Sequence, residues 1–158
     1  MQRARAARGA GRHDVAVGFY RRMLAQQGGY FAPANLELGY ALTGLQRPDE
    51  AIAALSLVAA RDGARYPVVF YHLGRLYERT NRLPLAAEAF ARAAQLYGDQ
   101  NPQMLLDVSR VREKEGNTAA ALAAMEDYVR ALERTSSVPE WAAARLAQLR
   151  RNATARKP

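Results

Sequence analysis

The chain has no cysteine, only two histidines and only two lysines among its 158 residues. Without cysteine, disulfide frameworks and thiolate metal sites are excluded, although the redox compartment stays open. His13 and His72 lack the H-E-x-x-H spacing that binds zinc, and no phosphate-binding glycine loop, nucleophile elbow or paired-carboxylate motif occurs. The sequence therefore predicts a protein that is not an enzyme and that needs no metal or cofactor.

Long apolar runs are also missing, and no stretch reaches the roughly 18 uncharged apolar residues of a membrane-spanning helix. Three arginines follow Met1 without a continuous apolar segment, so no secretory signal is recognised. We expect a cytoplasmic protein if Met1 is the native start. A periplasmic location stays open if a leader has been removed.

Positive charge is unevenly distributed along the chain. The net charge is +8, but residues 1–25 and residues 145–158 each contribute +5, which leaves the middle of the chain slightly negative. Arginine supplies nearly all of the basic residues, and this skew favours an origin in genomic base composition over selection for guanidinium chemistry. Because the central part lacks positive charge, the composition disfavours a nucleic-acid partner.

What the chain does have is a pattern that recurs every 35 residues. Three columns of this period hold one kind of residue each. The alanine column is Ala16, Ala51, Ala86 and Ala121; the large apolar column is Tyr20, Leu55, Phe90 and Met125; the small column is Ala4, Gly39, Gly74, Ser109 and Ala144. Self-similarity at a fixed period of this length indicates a stacked-repeat protein.

Each repeat is predicted to form two helices. Phe70, Leu73, Gly74 and Tyr77 have the spacing of one helical stripe, and no alternating strand pattern occurs, so the chain is predicted to be all-α. Gly98 is expected to end a helix with a left-handed residue, and Gly28 and Gly63 to act similarly. The predicted helices are 2–9, 12–27, 32–45, 48–61, 67–80, 83–97, 102–115, 118–134 and 139–151.

The motif Phe70-x-x-Leu73-Gly74-x-x-Tyr77, followed by Ala86-x-x-x-Phe90, resembles the tetratricopeptide repeat (TPR). The resemblance covers nearly the whole chain in about three and a half repeats, although the family period is about 34 residues. It implies an α-solenoid of antiparallel helix pairs that form a right-handed superhelix. The implied repeat domain is 1–151, with repeats 1–28 (truncated), 29–63, 64–98 and 99–133, a capping helix 139–151 and a disordered tail 152–158.

The resemblance further implies that the first helix of each pair lines a concave groove. Transferring the family's groove positions gives an apolar and aromatic column beside a column rich in arginine. We call the resulting set the predicted groove. It consists of Leu36, Tyr40, Tyr71, Arg75, Glu78, Leu106, Arg110, Trp141 and Arg145.

Guanidinium groups bind carboxylates and aromatic rings hold apolar side chains. The predicted groove is therefore expected to bind an extended or helical segment of another protein that carries acidic and apolar residues. The competing interpretation is that Arg75 pairs with Glu78, and Arg110 with Glu113, along one helix, so that the row is a solvated face.

These features predict a protein–protein interaction scaffold, such as an assembly factor or a subunit of a larger complex. Two alternatives stay open, an RNA-binding helical repeat and a self-associating structural subunit. The first helix is short, either naturally or because the chain is a piece of a longer array. Self-association would follow if that short helix left Ala16, Tyr20 and Leu24 partly bare.

Overall fold

The computed structural model describes residues 1–155, and this part of the chain consists of helices joined by short turns. The observed bounds agree with the predicted ones to within a few residues. The helices are α1 (Gln2–Gly9), α2 (His13–Gln26), α3 (Ala32–Gly44), α4 (Pro48–Asp62), α5 (Val68–Arg79), α6 (Leu83–Tyr97), α7 (Gln103–Lys114), α8 (Thr118–Thr135) and α9 (Glu140–Ala155). Residues 152–155, which we expected to belong to a disordered tail, are helical; the rest of that tail lies outside the described residues.

The chain divides into two compact units, Met1–Leu76 and a second unit that begins at Tyr77. In the first unit, α2 packs against α1 and α3, and α3 packs against α4. In the second unit, α7 packs against α6 and α8, and α8 packs against α9. The boundary falls inside α5, whereas the sequence analysis treats residues 1–151 as one repeat domain. Within each unit, helices that are neighbours in sequence are also neighbours in space.

In the second and fourth repeats, where α3 packs against α4 and α7 against α8, the repeated columns lie at the contact between the two helices of the pair. Every member of the alanine column and of the large apolar column is completely buried, with 0% exposure. At Gly39 a Cβ atom would lie 2.6 Å from Cγ of Leu55, so only glycine leaves room for this large residue of the facing helix. At the equivalent position Ser109 donates a hydrogen bond of 2.7 Å to the carbonyl oxygen of Ala121. Small residues thus let the paired helices approach closely.

The turn inside each helix pair has the same backbone structure in all four repeats, a regularity that the sequence analysis did not identify. Gly11, Gln46, Asn81 and Gly116 each have a positive φ, between 57° and 79°. The following amide always donates to the carbonyl five residues earlier, as Arg47 does to Leu42 at 3.0 Å. This is the Schellman motif, which satisfies carbonyl groups at a helix end. Two of its four left-handed positions are not glycine, so glycine spacing alone does not reveal it.

The three glycines that we expected to end second helices do not share one role. Gly28 and Gly98 have positive φ angles of 65° and 56°, as predicted. For Gly63 the prediction is wrong, because its backbone has right-handed helical angles. Its requirement is space: a Cβ atom there would lie 2.7 Å from the ring of Phe70 and would also meet the carbonyl oxygen of Ala59.

The second helix of the first repeat is not bare. Ala16 and Tyr20 have no exposed surface and Leu24 is 8% exposed, so the expected open apolar face is absent there. The short α1 packs on α2 and buries Ala4 and Ala7. An eight-residue helix is therefore long enough to cover this part of the core. Among the described residues, no helix combines the length and apolar character needed to cross a bilayer.

Candidate functional site

The residues of the predicted groove lie on the first helix of each of the last three repeats (α3, α5 and α7) and on the capping helix α9. They are divided between the two compact units. In the first unit, α3 carries Leu36 and Tyr40, and α5 carries Tyr71 and Arg75. In the second unit, the members come from three helices. They are Glu78 on α5, Leu106 and Arg110 on α7, and Trp141 and Arg145 on α9.

In the second unit the structure brings four of the predicted residues together around one cavity of about 340 Å³. Its full lining is Leu106, Ser109, Arg110, Glu113, Met125, Trp141 and Arg145. Trp141 is the only tryptophan of the chain and 52% of its surface is exposed. We call this cavity the Trp141 pocket. A half-exposed tryptophan beside a concave surface is typical of a binding site.

Both arginines that line the Trp141 pocket, Arg110 and Arg145, donate hydrogen bonds to carboxylates. Arg110 donates to both carboxylate oxygens of Glu78, at 3.0 Å for one of them, and to Asp107 at 2.9 Å. Lys114 donates to the same Glu78 at 2.6 Å. The pairing of Arg110 with Glu113 along one helix, on which the competing interpretation depended, is therefore wrong. Because Glu78 lies on a neighbouring first helix, it reaches the guanidinium in a two-pronged geometry that a same-helix pair does not offer here.

Arg145 repeats this arrangement one period later. It donates to Glu113 of α7 and, at 2.8 Å, to Gln148 of its own helix. The two ion pairs, Arg110 with Glu78 and Arg145 with Glu113, each join residues 32 apart in sequence. We call them the ion-pair ladder. It holds both guanidinium groups in place and leaves their charge compensated.

The pKa of the Glu78 carboxyl is well below its ordinary value. Hydrogen bonds from Arg110 are the main cause and lower its pKa to about 2, with Lys114 acting in the same direction and burial opposing. Its ordinary pKa is 4.5. A depressed native pKa means that the carboxylate stabilises the fold above about pH 4.5, and that this stabilisation is lost as the pH falls towards 2.

We therefore expect Glu78→Gln to lower the free energy of unfolding by about 1–2 kcal/mol at pH 7, since a hydrogen-bonded charged group is removed. The difference from the wild type should narrow progressively as the pH falls from 4.5 towards 2, because the native carboxylate then takes up its proton. Urea unfolding followed by circular dichroism at pH 7, 4 and 3 measures this. Asp127→Asn is the control, because its pair with Arg130 is exposed on both sides and should contribute under about 0.5 kcal/mol. A difference that stays constant with pH would contradict the assignment.

In the first unit, a carboxylate that the sequence analysis missed organises the face. Glu37 is 9% exposed and accepts hydrogen bonds from Arg5 at 2.8 Å and from Arg8 at 2.9 Å. The hydroxyl of Tyr20 also donates to it, at 3.4 Å. A sequence signal existed, since Glu37 and Asp107 occupy the same column of the 35-residue period and both bind arginine.

Aromatic rings form the rest of the first-unit face. The His72 ring lies 4.5 Å from the ring of Tyr40 and 5.6 Å from the ring of Tyr71, measured between centroids. Arg75 is exposed and donates a hydrogen bond of 3.3 Å to the hydroxyl of Tyr71. Burial, and then the positive charge of Arg75, lower the pKa of His72, so this imidazole is neutral at pH 7. Leu36 is buried and supports this face from beneath, with only 7% exposure.

Comparison with known proteins places this architecture among solved helical-repeat structures. No protein-family model matches the chain, and no curated protein matches it. A crystal structure of MamA superposes with a TM-score of 0.73 at 21% identity, covering 83% of this chain and 75% of that one. MamA from Desulfovibrio magneticus RS-1 gives 0.72 at 19% identity, covering 86% and 75%.

A further match is a putative kinesin light chain from Podospora anserina with nearly identical TPR-like repeats. Its TM-score is 0.70 at 16% identity, and the alignment covers 98% of this chain and 85% of that one. At these identities the likeness concerns the fold, and it confirms the all-α arrangement of antiparallel helix pairs. The described part of the chain therefore has a TPR-like helical-repeat fold.

Proposed function

We propose that this protein is a non-catalytic interaction module whose first helices bind segments of another protein. The observation that carries the proposal is the Trp141 pocket, where four of the predicted groove residues meet around one cavity. An exposed aromatic side chain beside a concave, partly apolar surface is the usual anatomy of a protein-binding hot spot. The fold supports the proposal, since stacked helical repeats build extended binding surfaces.

Each unit supplies a surface of its own chemistry. In the first unit the face combines Tyr40, Tyr71 and the exposed Arg75. The Arg75 guanidinium donates a hydrogen bond to the neutral hydroxyl of Tyr71. A carboxylate of a partner can therefore bind this guanidinium without displacing another acid. In the second unit the arginines are already compensated by the ion-pair ladder. We therefore propose that the first unit binds an acidic group of the partner and that the second unit binds an apolar group.

The ion-pair ladder argues against the alternative of RNA binding. Phosphate binding needs cations that can pair with phosphates, so that the counterions condensed on the nucleic acid are released. Around the Trp141 pocket, Arg110 and Arg145 are instead bound to Glu78 and Glu113. The burial of Ala16 and Tyr20 gives less support to self-association through the first repeat, since these side chains offer no apolar surface to a second copy. Protein binding is the function that the geometry supports best.

Site-specific photo-crosslinking in cells tests this proposal. The photoreactive amino acid p-benzoylphenylalanine would replace Trp141 or Tyr71 in the full chain, and crosslinked products would be identified by mass spectrometry. Leu85 and Leu57 are the matched controls, because they are exposed apolar residues on second helices, at 45% and 43% exposure. We expect a defined protein product from positions 141 and 71 and none from positions 85 and 57. Equal capture from all four positions, or capture only from the second helices, would contradict the proposal.

A further inference from the structure

The charges around the Trp141 pocket cancel one another. Three cations and three carboxylates lie at its edge or next to its lining residues, and every one of the six is in an ion pair; Arg110 binds two of the carboxylates and Glu78 binds two of the cations. The cations are Arg110, Lys114 and Arg145, and the carboxylates are Glu78, Asp107 and Glu113. A charged ligand group placed here would compete with an existing ion pair and gain little Coulomb energy in exchange.

Three apolar side chains, Leu106, Met125 and Trp141, line the pocket. Leu106 is half-buried, and the completely buried Met125 closes the pocket from α8. Trp141 packs on Tyr128, with 6.0 Å between the ring centroids, and more than half of its own surface stays open. One part of the indole is therefore held by the protein, while the remainder is available to a ligand.

The size of the cavity limits what it can hold. Its volume of about 340 Å³ is at the lower end of the range of roughly 300–1,000 Å³ for small-molecule and cofactor sites. A cavity of this size, open on one side, accommodates a single large side chain of a bound chain. Burial of such a side chain against apolar walls is favourable because it removes apolar surface from water.

We infer that the Trp141 pocket is an anchor site for one large uncharged apolar side chain, of the leucine, methionine or phenylalanine type, presented by a segment of a partner protein. The inference rests on the proposed function and specifies the chemistry of the partner at this site. It replaces the acidic character that the sequence analysis assigned to the ligand of the arginine column. Here that column positions the pocket and does not bind the ligand's charge.

A random peptide library displayed on phage provides the probe. Peptides enriched on the immobilised full chain would be synthesised and titrated while tryptophan emission is recorded, since Trp141 is the only tryptophan and reports this pocket alone. We expect enriched peptides to share one large apolar residue, to change the emission of Trp141, and to keep their affinity within about twofold between 50 and 500 mM salt. An alanine at the shared position should abolish the change in emission.

Substitutions in the protein separate the pocket from the rest of the surface. Leu106→Glu should weaken peptide binding about 30-fold or more, as expected for a hot-spot residue. Leu85→Glu is the matched control, because Leu85 is exposed in the same unit and does not line the pocket. Trp141→Ala, measured by calorimetry, gives a second test at a side chain whose exposure makes the substitution tolerable for folding. Circular dichroism confirms that each variant keeps its helices.

Three results would overturn the inference. The first is enrichment of acidic peptides without an apolar residue in common. The second is binding that survives Leu106→Glu and leaves Trp141 emission unchanged, which would place the ligand elsewhere and leave the proposed function standing. The third is failure to enrich any peptide although the crosslinks from position 141 are obtained, which would reject a single-side-chain anchor but not protein binding. If crosslinks and peptides are both absent, the proposed function itself is wrong.

Discussion

Phe90→Ala is expected to lower the free energy of unfolding by about 3–5 kcal/mol, the range for removal of a fully buried aromatic ring. Phe90 has 0% exposure and belongs to the large apolar column, whose four members are all completely buried. The alanine would leave a cavity that the surrounding helices fill only partly. Because native proteins are stable by only about 5–15 kcal/mol, this one change removes a large share of the total.

Denaturant unfolding followed by circular dichroism at 222 nm measures the effect of Phe90→Ala. Phe90→Leu, which keeps most of the volume, should lose about 1.5 kcal/mol or less. Leu85→Ala on the same helix is the surface control, since Leu85 is 45% exposed and should change stability by no more than about 0.5 kcal/mol. If Phe90→Ala and Leu85→Ala lower the free energy of unfolding by the same amount, the large apolar column is not the main contributor to the stability of the core.

Gly39→Val is expected to destabilise the first unit by about 2–3 kcal/mol, near the upper end of the range for overpacking a core. A Cβ atom at Gly39 would lie 2.6 Å from two side-chain atoms of Leu55, and Leu55 has no exposed surface into which it can move. The new side chain must therefore push α3 and α4 apart. The loss is larger than the small gain that any residue brings by replacing a helical glycine.

Gly18 provides the matched control for Gly39. It also lies in a helix of the first unit, but it is exposed and nothing lies within 4 Å of the position that a Cβ atom would take. Gly18→Val should change the unfolding free energy by no more than about 0.5 kcal/mol. The double variant Gly39→Val with Leu55→Ala should be more stable than the sum of the two single changes predicts, because Leu55→Ala opens the space that valine needs. Strict additivity would show that the two residues are not in contact.

Much of the fold followed from particular positions in the sequence. The stripe from Phe70 to Tyr77 predicted α5, and the segment from Leu83 to the residue before Gly98 predicted α6 with the bounds that the structure shows. The alanine and large apolar columns predicted the residues that are completely buried. These predictions succeed because helical periodicity and burial depend on local spacing, and that spacing recurs in each 35-residue repeat.

The candidate site was predictable only in part. Four members of the predicted groove meet at the Trp141 pocket, but Leu36 is buried beneath the surface rather than on it. Spacing along α7 indicated a same-helix partner for Arg110, Glu113, whereas the guanidinium binds Glu78 on the adjacent first helix. Spacing also gave no indication that Glu37 binds two arginines of α1. Spacing along a helix identifies which residues share a face, but it does not show which face a neighbouring helix brings within reach of a long side chain.

The amino-acid sequence by itself determined the helices, the residues of the core and the absence of cysteine chemistry, because each depends on composition, on helical spacing or on the 35-residue period. The pairing of the helices followed from the resemblance to the tetratricopeptide repeat. Only the tertiary structure decided which carboxylate each arginine binds, why Gly63 must be glycine, and that Trp141 stays half open above a cavity. The physical reason is the same in all three cases. Ion pairs, steric gaps and cavities depend on distances of a few ångströms between helices, and those distances are set by how whole side chains fit together.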